Sequence, residues 1–333
     1  MEYKISVMIT CYNCEKYIGT AIKSVVDQVF PCSWELLIGD DGSSDNTIKI
    51  VKEWIEKYPN NIKLYVMDRS ANEEKNGTRA AKNRANLLRH AEGEYLLFLD
   101  GDDQFLGNEK IKTQYDILVR DIEKKYACVA HNILANDMAT GQKYPLTAPE
   151  LDEGVVDTKL YWQKLYFHTN TIMFRRECKE LMLKDEYCDY LNDNFITYII
   201  LQYGQIYYIP CLWGQYNLTG DGLWTGKKRT YGCFRNMIIY DLETKINPKM
   251  ENESFIRHIY DFRYILKYYD FSDREKVDPL IKGLASERFY YTLLLYRSID
   301  KISKVDKRAI RQLKTKVWFV FYKNRIKNLM KRI

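Results

Sequence analysis

The sequence predicts an α/β chain: a mostly parallel sheet flanked by helices, followed by a helical C-terminal region. Three observations carry that prediction. Short apolar runs alternate with stretches of helical spacing over the first hundred residues. Carboxylate-rich clusters follow the apolar runs, where ligands of parallel sheets bind. From about residue 230 the apolar spacing is mostly helical.

Residues 4–10, Lys-Ile-Ser-Val-Met-Ile-Thr, read as a buried strand. Within 15–28, Ile18, Ile22, Val25 and Val26 recur at helical spacing. Residues 34–39 form a second strand. Asp45–Tyr58 is a helix, capped by Ser44 or Asp45 and stopped by Pro59. Ile62–Met67 is the third strand, and Thr78–Ala91 a helix ending at Gly93. Glu94–Leu99 is the fourth strand, closed by Asp100-Gly101-Asp102-Asp103. Beyond residue 108 the rhythm changes. Lys110–Lys125 reads as a helix and Tyr126–Leu134 as a strand. Residues 135–160, with Gly141, Pro145, Pro149 and Gly154, read as a loop. Asp193–Gln202 is a short helix and Gln205–Ile209 a strand.

At 333 residues and 46% hydrophobic content, the chain can bury one large domain with an appendage. Its 28 tyrosines indicate a polar, aromatic-rich interior or cleft, or else AT-rich codon usage. The net charge of +6 is concentrated at the end: Lys304–Ile333 holds eleven Lys or Arg against Asp306 alone. The same tail carries Trp318, Phe319, Phe321 and Tyr322, the composition of an interfacial membrane segment facing anionic lipid. The alternative is a helix packed on its own domain with a solvated basic face. Nucleic acid is discounted as a partner, because no recognisable motif with base-reading aromatics accompanies the charge. No apolar run reaches 18 residues, so no membrane span is expected. Eight scattered cysteines and a first strand that starts at once, with no signal peptide, point to a reducing cytosol. Cys11-x-x-Cys14 could be a redox or zinc half-site, but it has no second pair and no nearby His.

Asp100-x-Asp102 with Asp103 is the strongest chemical signal. Carboxylates at the exposed end of a buried strand can share a hard divalent cation and pass it to substrate phosphates. The alternative is an acidic turn that caps the next helix. Asp40-Asp41-Gly42-Ser43-Ser44-Asp45 follows the second strand. Its Asp residues can accept hydrogen bonds from a uracil imide or a ribose, or can shape the turn and cap the helix.

These segments occur in order with Ser6–Asn13, Asn76-Gly77, Lys82-Asn83 and Ala91–Tyr95. Together they resemble family 2 glycosyltransferases of the GT-A fold, a Rossmann-like architecture, densely over the first 110 residues. The resemblance implies a base pocket lined by Thr10 and Tyr12, with Tyr12 stacking on uracil and Asp41, alongside Asp40, binding the base. It implies a metal on Asp102, with Asp100 touching the metal, ribose or sugar, and Asp103 close to the donor sugar. Lys82 stands where the family often has Arg near the nucleotide; it keeps the charge and loses the planar fork. The family is generally inverting and needs a general base on an acidic loop before a helix. Asn192-Asp193-Asn194-Phe195 fits with Asn in place of Glu, which makes Asp193 the candidate base, or merely a helix cap. Asp189 and Glu186 are nearby alternatives. His168, before Thr169–Arg176, falls on the acceptor side, and Trp224 in the Gly220/Gly222 loop could close over the donor.

The expected organisation is a GT-A domain over 1–225, with a nucleotide-binding half at 1–110 and an acceptor half at 111–225. A helical region with the basic, aromatic tail follows at 226–333. The expected reaction is inverting transfer from a UDP-sugar to a hydroxyl with Mn²⁺ or Mg²⁺, in bacterial surface polysaccharide or glycolipid synthesis. The acceptor is a saccharide or lipid-linked saccharide. The setting is cytoplasmic, at the inner face of the membrane, with homo-oligomerisation open. A sugar nucleotidylyltransferase is discounted, because Thr10-Cys11-Tyr12-Asn13 replaces the Gly-rich basic loop it would show. A catalytically impaired carbohydrate- or membrane-binding protein on the same fold remains the alternative.

Overall fold

The computed structural model describes residues 3–69, 77–147, 151–158, 160, 161, 165–219 and 229–250, with 254, 258 and 261. The chain divides into two compact units, Met1–Thr225 and Gly226–Ile333.

The first unit is built on one sheet. In chain order its strands are β1 (Ile5–Cys11), β2 (Trp34–Asp40), β3 (Ile62–Val66), β4 (Tyr95–Asp100), β5 (Gln104–Phe105), β6 (Tyr126–Asp137), β7 (Lys143–Pro145), β8 (Gly154–Val156), β9 (Met173–Arg175) and β10 (Gln205–Leu218). They lie in the order β3-β2-β1-β4-β9-β6-β10-β5, with β7 against β6 and β8 against β10. The pairs β1–β2, β1–β4, β2–β3 and β6–β10 are parallel. β9 runs antiparallel between β4 and β6. The helices of the unit are α1 (Ile18–Val26), α2 (Thr47–Lys57), α3 (Gly77–His90), α4 (Lys110–Arg120) and α5 (Asp193–Ile200), with a helical turn at Lys179–Met182.

The apolar runs explain this layout. β1 is buried at every position, as a strand must be when helices cover both its faces. α1 buries Ile18, Ala21, Ile22 and Val25, the i, i+3, i+4, i+7 stripe. Each of the Ile and Val side chains contributes roughly 1.5–3 kcal/mol by leaving water. The β1/β4 register sets Thr10 beside Asp100, and the β1/β2 register sets Cys11 beside Asp40. The polar clusters are thereby brought to one edge of the sheet.

At the opposite edge a buried carboxylate fastens three strands. Glu35 is fully buried. It accepts from Ser6 Oγ at 2.7 Å, from the Glu92 N–H at 2.8 Å and from Lys63 Nζ at 3.2 Å. Ser6 Oγ in turn accepts from the Gly93 N–H at 2.8 Å. A Cβ at residue 93 would lie 2.5 Å from Ser6 N and 2.8 Å from Ile5 C, which are backbone atoms that cannot rotate away. Gly93→Ala is therefore expected to cost about 3 kcal/mol, the upper end for overpacking. Thermal denaturation should show Tm lowered by roughly 6–12 °C. A shift below about 2 °C would show that the approach relaxes freely.

The structure departs from the sequence reading in several places. Residues 135–160 are not all loop: β6 continues to Asp137, β7 pairs with it, and β8 pairs with β10. β10 does not stop at Ile209. It runs on through Pro210 to Leu218, with register shifts between Ile209 and Gly214 that absorb the missing N–H. The helix expected to reach Lys125 ends at Arg120, where the Asp121 side chain accepts the N–H groups of Lys125 and Tyr126 and forms a turn.

In the second unit, α6 (Arg229–Ile246) buries Cys233, Ile239, Tyr240 and Leu242. Buried Glu243 faces the His258 ring at 3.3 Å. Burial opposes the charge on His258, but Glu243 and Asp261 outweigh it and push the imidazole up to about 9. The Trp224 loop and the 304–333 tail lie outside the described residues. Among the described residues no helix is long and apolar enough to cross a membrane.

Candidate active site

The site is assembled at the carboxyl ends of β1, β2 and β4. Asp100, the last residue of β4, accepts from Thr10 Oγ1 at 2.8 Å. It is also gripped by Arg84 on α3, whose Nη2 lies 2.9 and 3.2 Å from its two oxygens. Burial would raise the Asp100 carboxyl, but Arg84, then His168 and Thr10, hold it below its usual range. The same guanidinium donates through Nη1 to the Leu191 carbonyl at 3.1 Å. Arg84 therefore ties the strand end to the loop that carries Asp193.

Asp102 and Asp103 follow in the turn. Burial and the Asp100 charge push Asp102 up to about 6. Asp103 is buried and raised well above the usual carboxylate range by burial, then by Asp102 and Asp100. Its oxygens accept the Asn217 N–H at 2.9 Å and the Asn170 amide at 3.2 Å. Asn217 also donates its side-chain amide to the Asp102 carbonyl at 2.6 Å, which pins the turn to β10.

His168 is buried, with Nε2 at 4.0 Å from Asp100 and 3.9 Å from Asp103. Its Nδ1 accepts the Asn170 N–H at 3.4 Å, which places the proton of the neutral ring on Nε2, towards the carboxylates. Asp100, Asp103 and His168 offer three ligand atoms within 4.8 Å of one another. The sequence paired Asp100 with Asp102, whereas this grouping takes Asp103 and His168. The donor chemistry fits a hard divalent cation: crowded carboxylates, two of them pushed up by burial and by one another's charge. The two carboxylates are the natural oxygen ligands, and His168 Nε2 lies 3.9–4.0 Å from them, outside hydrogen-bond distance.

Asp193 opens α5 without capping it. Asn192 is the cap, its Oδ1 accepting the Phe195 N–H at 3.0 Å. The Asp193 carboxylate instead accepts the Tyr166 hydroxyl through Oδ2. Burial and the neighbouring Asp193 keep that phenol protonated. Tyr216 on β10 stacks obliquely on His168, with centroids 4.6 Å apart. Burial raises its phenol, as do the charges of Asp103, Asp193, Asp100 and Asp102, so it stands among all four carboxylates.

At the end of β2, Asp40 is fully buried and engaged by the turn: Ser43 N donates to it at 2.7 Å and Ser43 Oγ at 2.5 Å, with Cys11 Sγ at 3.6 Å. Gly42 holds φ at +74° in that turn. Asp41 takes Arg79 at 2.6 Å and Arg69 at 3.0 Å. The Arg69 guanidinium lies over the Tyr12 ring, 3.9 Å from its centroid. Lys82 is not drawn into this cluster. It is exposed, and its amine faces Asp189 at 4.0 Å. Glu186 bonds the Tyr187 phenol. Both C-x-x-C thiols are free. Burial pushes Cys14 up to about 12 and Cys11 well above its ordinary value, which leaves little thiolate for redox or metal chemistry.

Sequence reasoning missed Arg69, Arg79, Arg84, Tyr166, Asn170 and Asn217. Only Arg84 carried a signal. It interrupts the buried stripe Ala81, Ala85, Leu88 of α3, and a charge on an apolar stripe calls for a buried partner.

The family model for glycosyl transferase family 2 matches residues 6–182, more than half of the chain. The chain belongs to glycosyl transferase family 2. Among curated relatives, it is 32% identical over 146 residues to the UDP-Glc:alpha-D-GlcNAc-diphosphoundecaprenol beta-1,3-glucosyltransferase WfgD of Escherichia coli. That match covers 43% of this chain and 53% of WfgD. It is 39% identical over 110 residues to the poly(ribitol-phosphate) beta-N-acetylglucosaminyltransferase TarS of Staphylococcus aureus, covering 33% of this chain and 18% of TarS. The chain thus spans about half of one relative and a fifth of the other. The structure of S. aureus TarS 1–349 in complex with UDP-GlcNAc superposes with a TM-score of 0.60 at 20% identity, over 98% of this chain and 92% of that one. The mannosyltransferase PcManGT of Pyrobaculum calidifontis, in complex with GDP-Man and Mn²⁺, gives 0.53 at 15% identity, over 100% and 89%. The fold is GT-A, as the family 2 assignment requires.

Proposed function

We propose that the protein is an inverting, metal-dependent glycosyltransferase that moves a sugar from a UDP-sugar to a hydroxyl of a saccharide or lipid-linked saccharide in bacterial surface polysaccharide synthesis. One observation carries the reading: Arg84 binds the Asp100 strand end and the Asp193 loop together, which holds an acid cluster and a separate carboxylate beside one another. Tyr12 and Asp41 take the base, and Asp100 the ribose or sugar. A divalent cation held by Asp100 and Asp103, with Asp102 beside them, would neutralise the departing diphosphate. Asp193 accepts the proton of the acceptor hydroxyl through Oδ1, which has no partner among the described residues, while Tyr166 holds Oδ2 in place. The acceptor oxygen bonds to the anomeric carbon as the bond to the diphosphate breaks. The electron pair leaves with UDP, and the configuration inverts. The UDP-Glc and UDP-GlcNAc in the relatives' names support a uridine donor.

The test is a donor screen of the full chain with Mn²⁺ or Mg²⁺ against UDP-, GDP-, TDP- and CMP-sugars, beside Asp102→Ala. Metal-dependent release of UDP is expected, falling about 100-fold or more in the variant because the acid cluster is weakened. Absence of binding by every nucleotide with both metals would overturn the reading.

A further inference from the structure

We propose that Gln114, oriented by Lys110, is a positioning residue for the acid cluster. From the buried face of α4 it seats the turn that carries His168 and Asn170. Through Asn170 it fixes the Asp103 carboxylate where a divalent cation would be held. The inference rests on the metal reading above and extends it to a helix outside the site.

Lys110 and Gln114 are both fully buried near the start of α4. They are four residues apart, so their side chains meet on one face. Lys110 Nζ donates to Gln114 Oε1 at 2.9 Å and lies 4.2 Å from the centroid of the Phe105 ring. No carboxylate among the described residues offsets its burial, which pushes the amine well below its ordinary range. An amine without an anionic partner is costly in a core, and an apolar side chain could fill the same space. What the amine supplies is an N–H for Gln114 Oε1.

That bond decides which way the Gln114 amide points. With Oε1 turned to Lys110, Nε2 donates to the Val129 carbonyl on β6 at 2.8 Å and to the Thr171 carbonyl at 2.9 Å. Both amide hydrogens are used. A flipped amide would set oxygen against two carbonyls and its NH₂ against the amine.

Thr171 closes the helical turn Thr169–Thr171. Its N–H and Oγ1 both donate to the His168 carbonyl, at 2.9 and 2.7 Å. His168 Nδ1 accepts the Asn170 N–H at 3.4 Å. The turn is thus a buried, internally bonded unit, and Gln114 grips it from α4. From this unit the Asn170 amide reaches Asp103 Oδ2 at 3.2 Å. Three links therefore lead from α4 to a candidate metal ligand: Gln114 to Thr171, the turn itself, and Asn170 to Asp103. Outer partners of this kind orient the ligands and so set the affinity for the ion. A Gln114 that merely filled space would leave that affinity unmoved.

The test is Mn²⁺ binding to the full chain, read from the paramagnetic resonance of the free ion with and without UDP, beside thermal denaturation. Gln114→Met keeps the length of the side chain and removes both donors. It should weaken Mn²⁺ about 10-fold, the low end for an outer partner of a metal ligand. Asn170→Ala should weaken it at least as much. The double variant should match Asn170→Ala within about 2-fold, because both residues act along one path. Leu118→Ala controls for packing on the same buried face of α4. It should lower Tm as much or more, with Mn²⁺ affinity held within about 2-fold. Lys110→Met removes the orienting bond and should weaken Mn²⁺ about 3-fold or more; it carries the test if Gln114→Met is unfolded. Unchanged affinity in Gln114→Met or Lys110→Met, effects that multiply in the double variant, or equal weakening in Leu118→Ala overturns the positioning role alone. A wild type that takes up no Mn²⁺ in either condition overturns the metal reading and this inference with it.

Discussion

Asp193→Asn is expected to lower sugar transfer by about 10²–10⁴-fold, the usual contribution of a positioned general base. UDP affinity should change little, and Tm by less than about 2 °C, because the helix terminus does not depend on this side chain. Asn192 is the cap of α5. Asn192→Ala is the complementary variant: it should cost about 1 kcal/mol of stability with a far smaller loss of turnover. The pair separates chemistry from architecture at adjacent positions. Tyr166→Phe releases one oxygen of the carboxylate and should lower turnover less than Asp193→Asn does. Steady-state transfer to a saccharide acceptor, with UDP release as the readout, measures all three. An Asp193→Asn enzyme that retains more than a tenth of the wild-type rate would remove Asp193 from the role of base.

Arg84→Met is expected to be the most destabilising single change at the site. The substitution is of similar length, so little volume is lost. What is lost is the counter-charge of Asp100 and the clasp on the Leu191 carbonyl. Removing one partner of a buried ion pair costs about 3–5 kcal/mol. The lower end applies here, because the Asp100 side chain keeps 23% of its exposure. Tm should fall by about 6–12 °C. Adding Asp100→Asn should restore part of the loss, because the stranded charge is gone, and the double-mutant cycle should show coupling above about 1 kcal/mol. Additive effects would mean that Arg84 acts through packing alone.

The strand-end carboxylates of this candidate site were legible in the sequence because their positions follow from where the strands stop. A buried run such as Tyr95–Leu99 fixes where the strand stops, and Asp100 must then emerge at the edge. Helical phase was legible too and indicates why Lys82 stays out of the cluster: Lys82 and Arg89 are seven apart and share the exposed stripe of α3, while Arg84 lies on the buried one. The remaining partners left no pattern. Tyr166 meets Asp193 across 27 positions, and Asn217 meets Asp103 across 114. Neither belongs to a periodic segment that would announce the contact. β9 is three residues long and β7 three, too short for alternation to register. The second half of β10 was hidden by Pro210, which reads as a strand stop and is instead absorbed by a shift of register.

The insertion of β9 has a consequence for biogenesis. Met173–Arg175 fills the seam between β4 and β6, yet it is made some seventy residues after β4. During synthesis the early half of the sheet must wait with the Tyr95–Leu97 edge bare, a row of unsatisfied amides and carbonyls flanked by aliphatic side chains. Any proteolytic or truncated product that ends before residue 173 carries that sticky margin permanently. The three-residue strand therefore acts as a zip closed late, and until it closes the Tyr95–Leu97 edge is open to pairing with another chain.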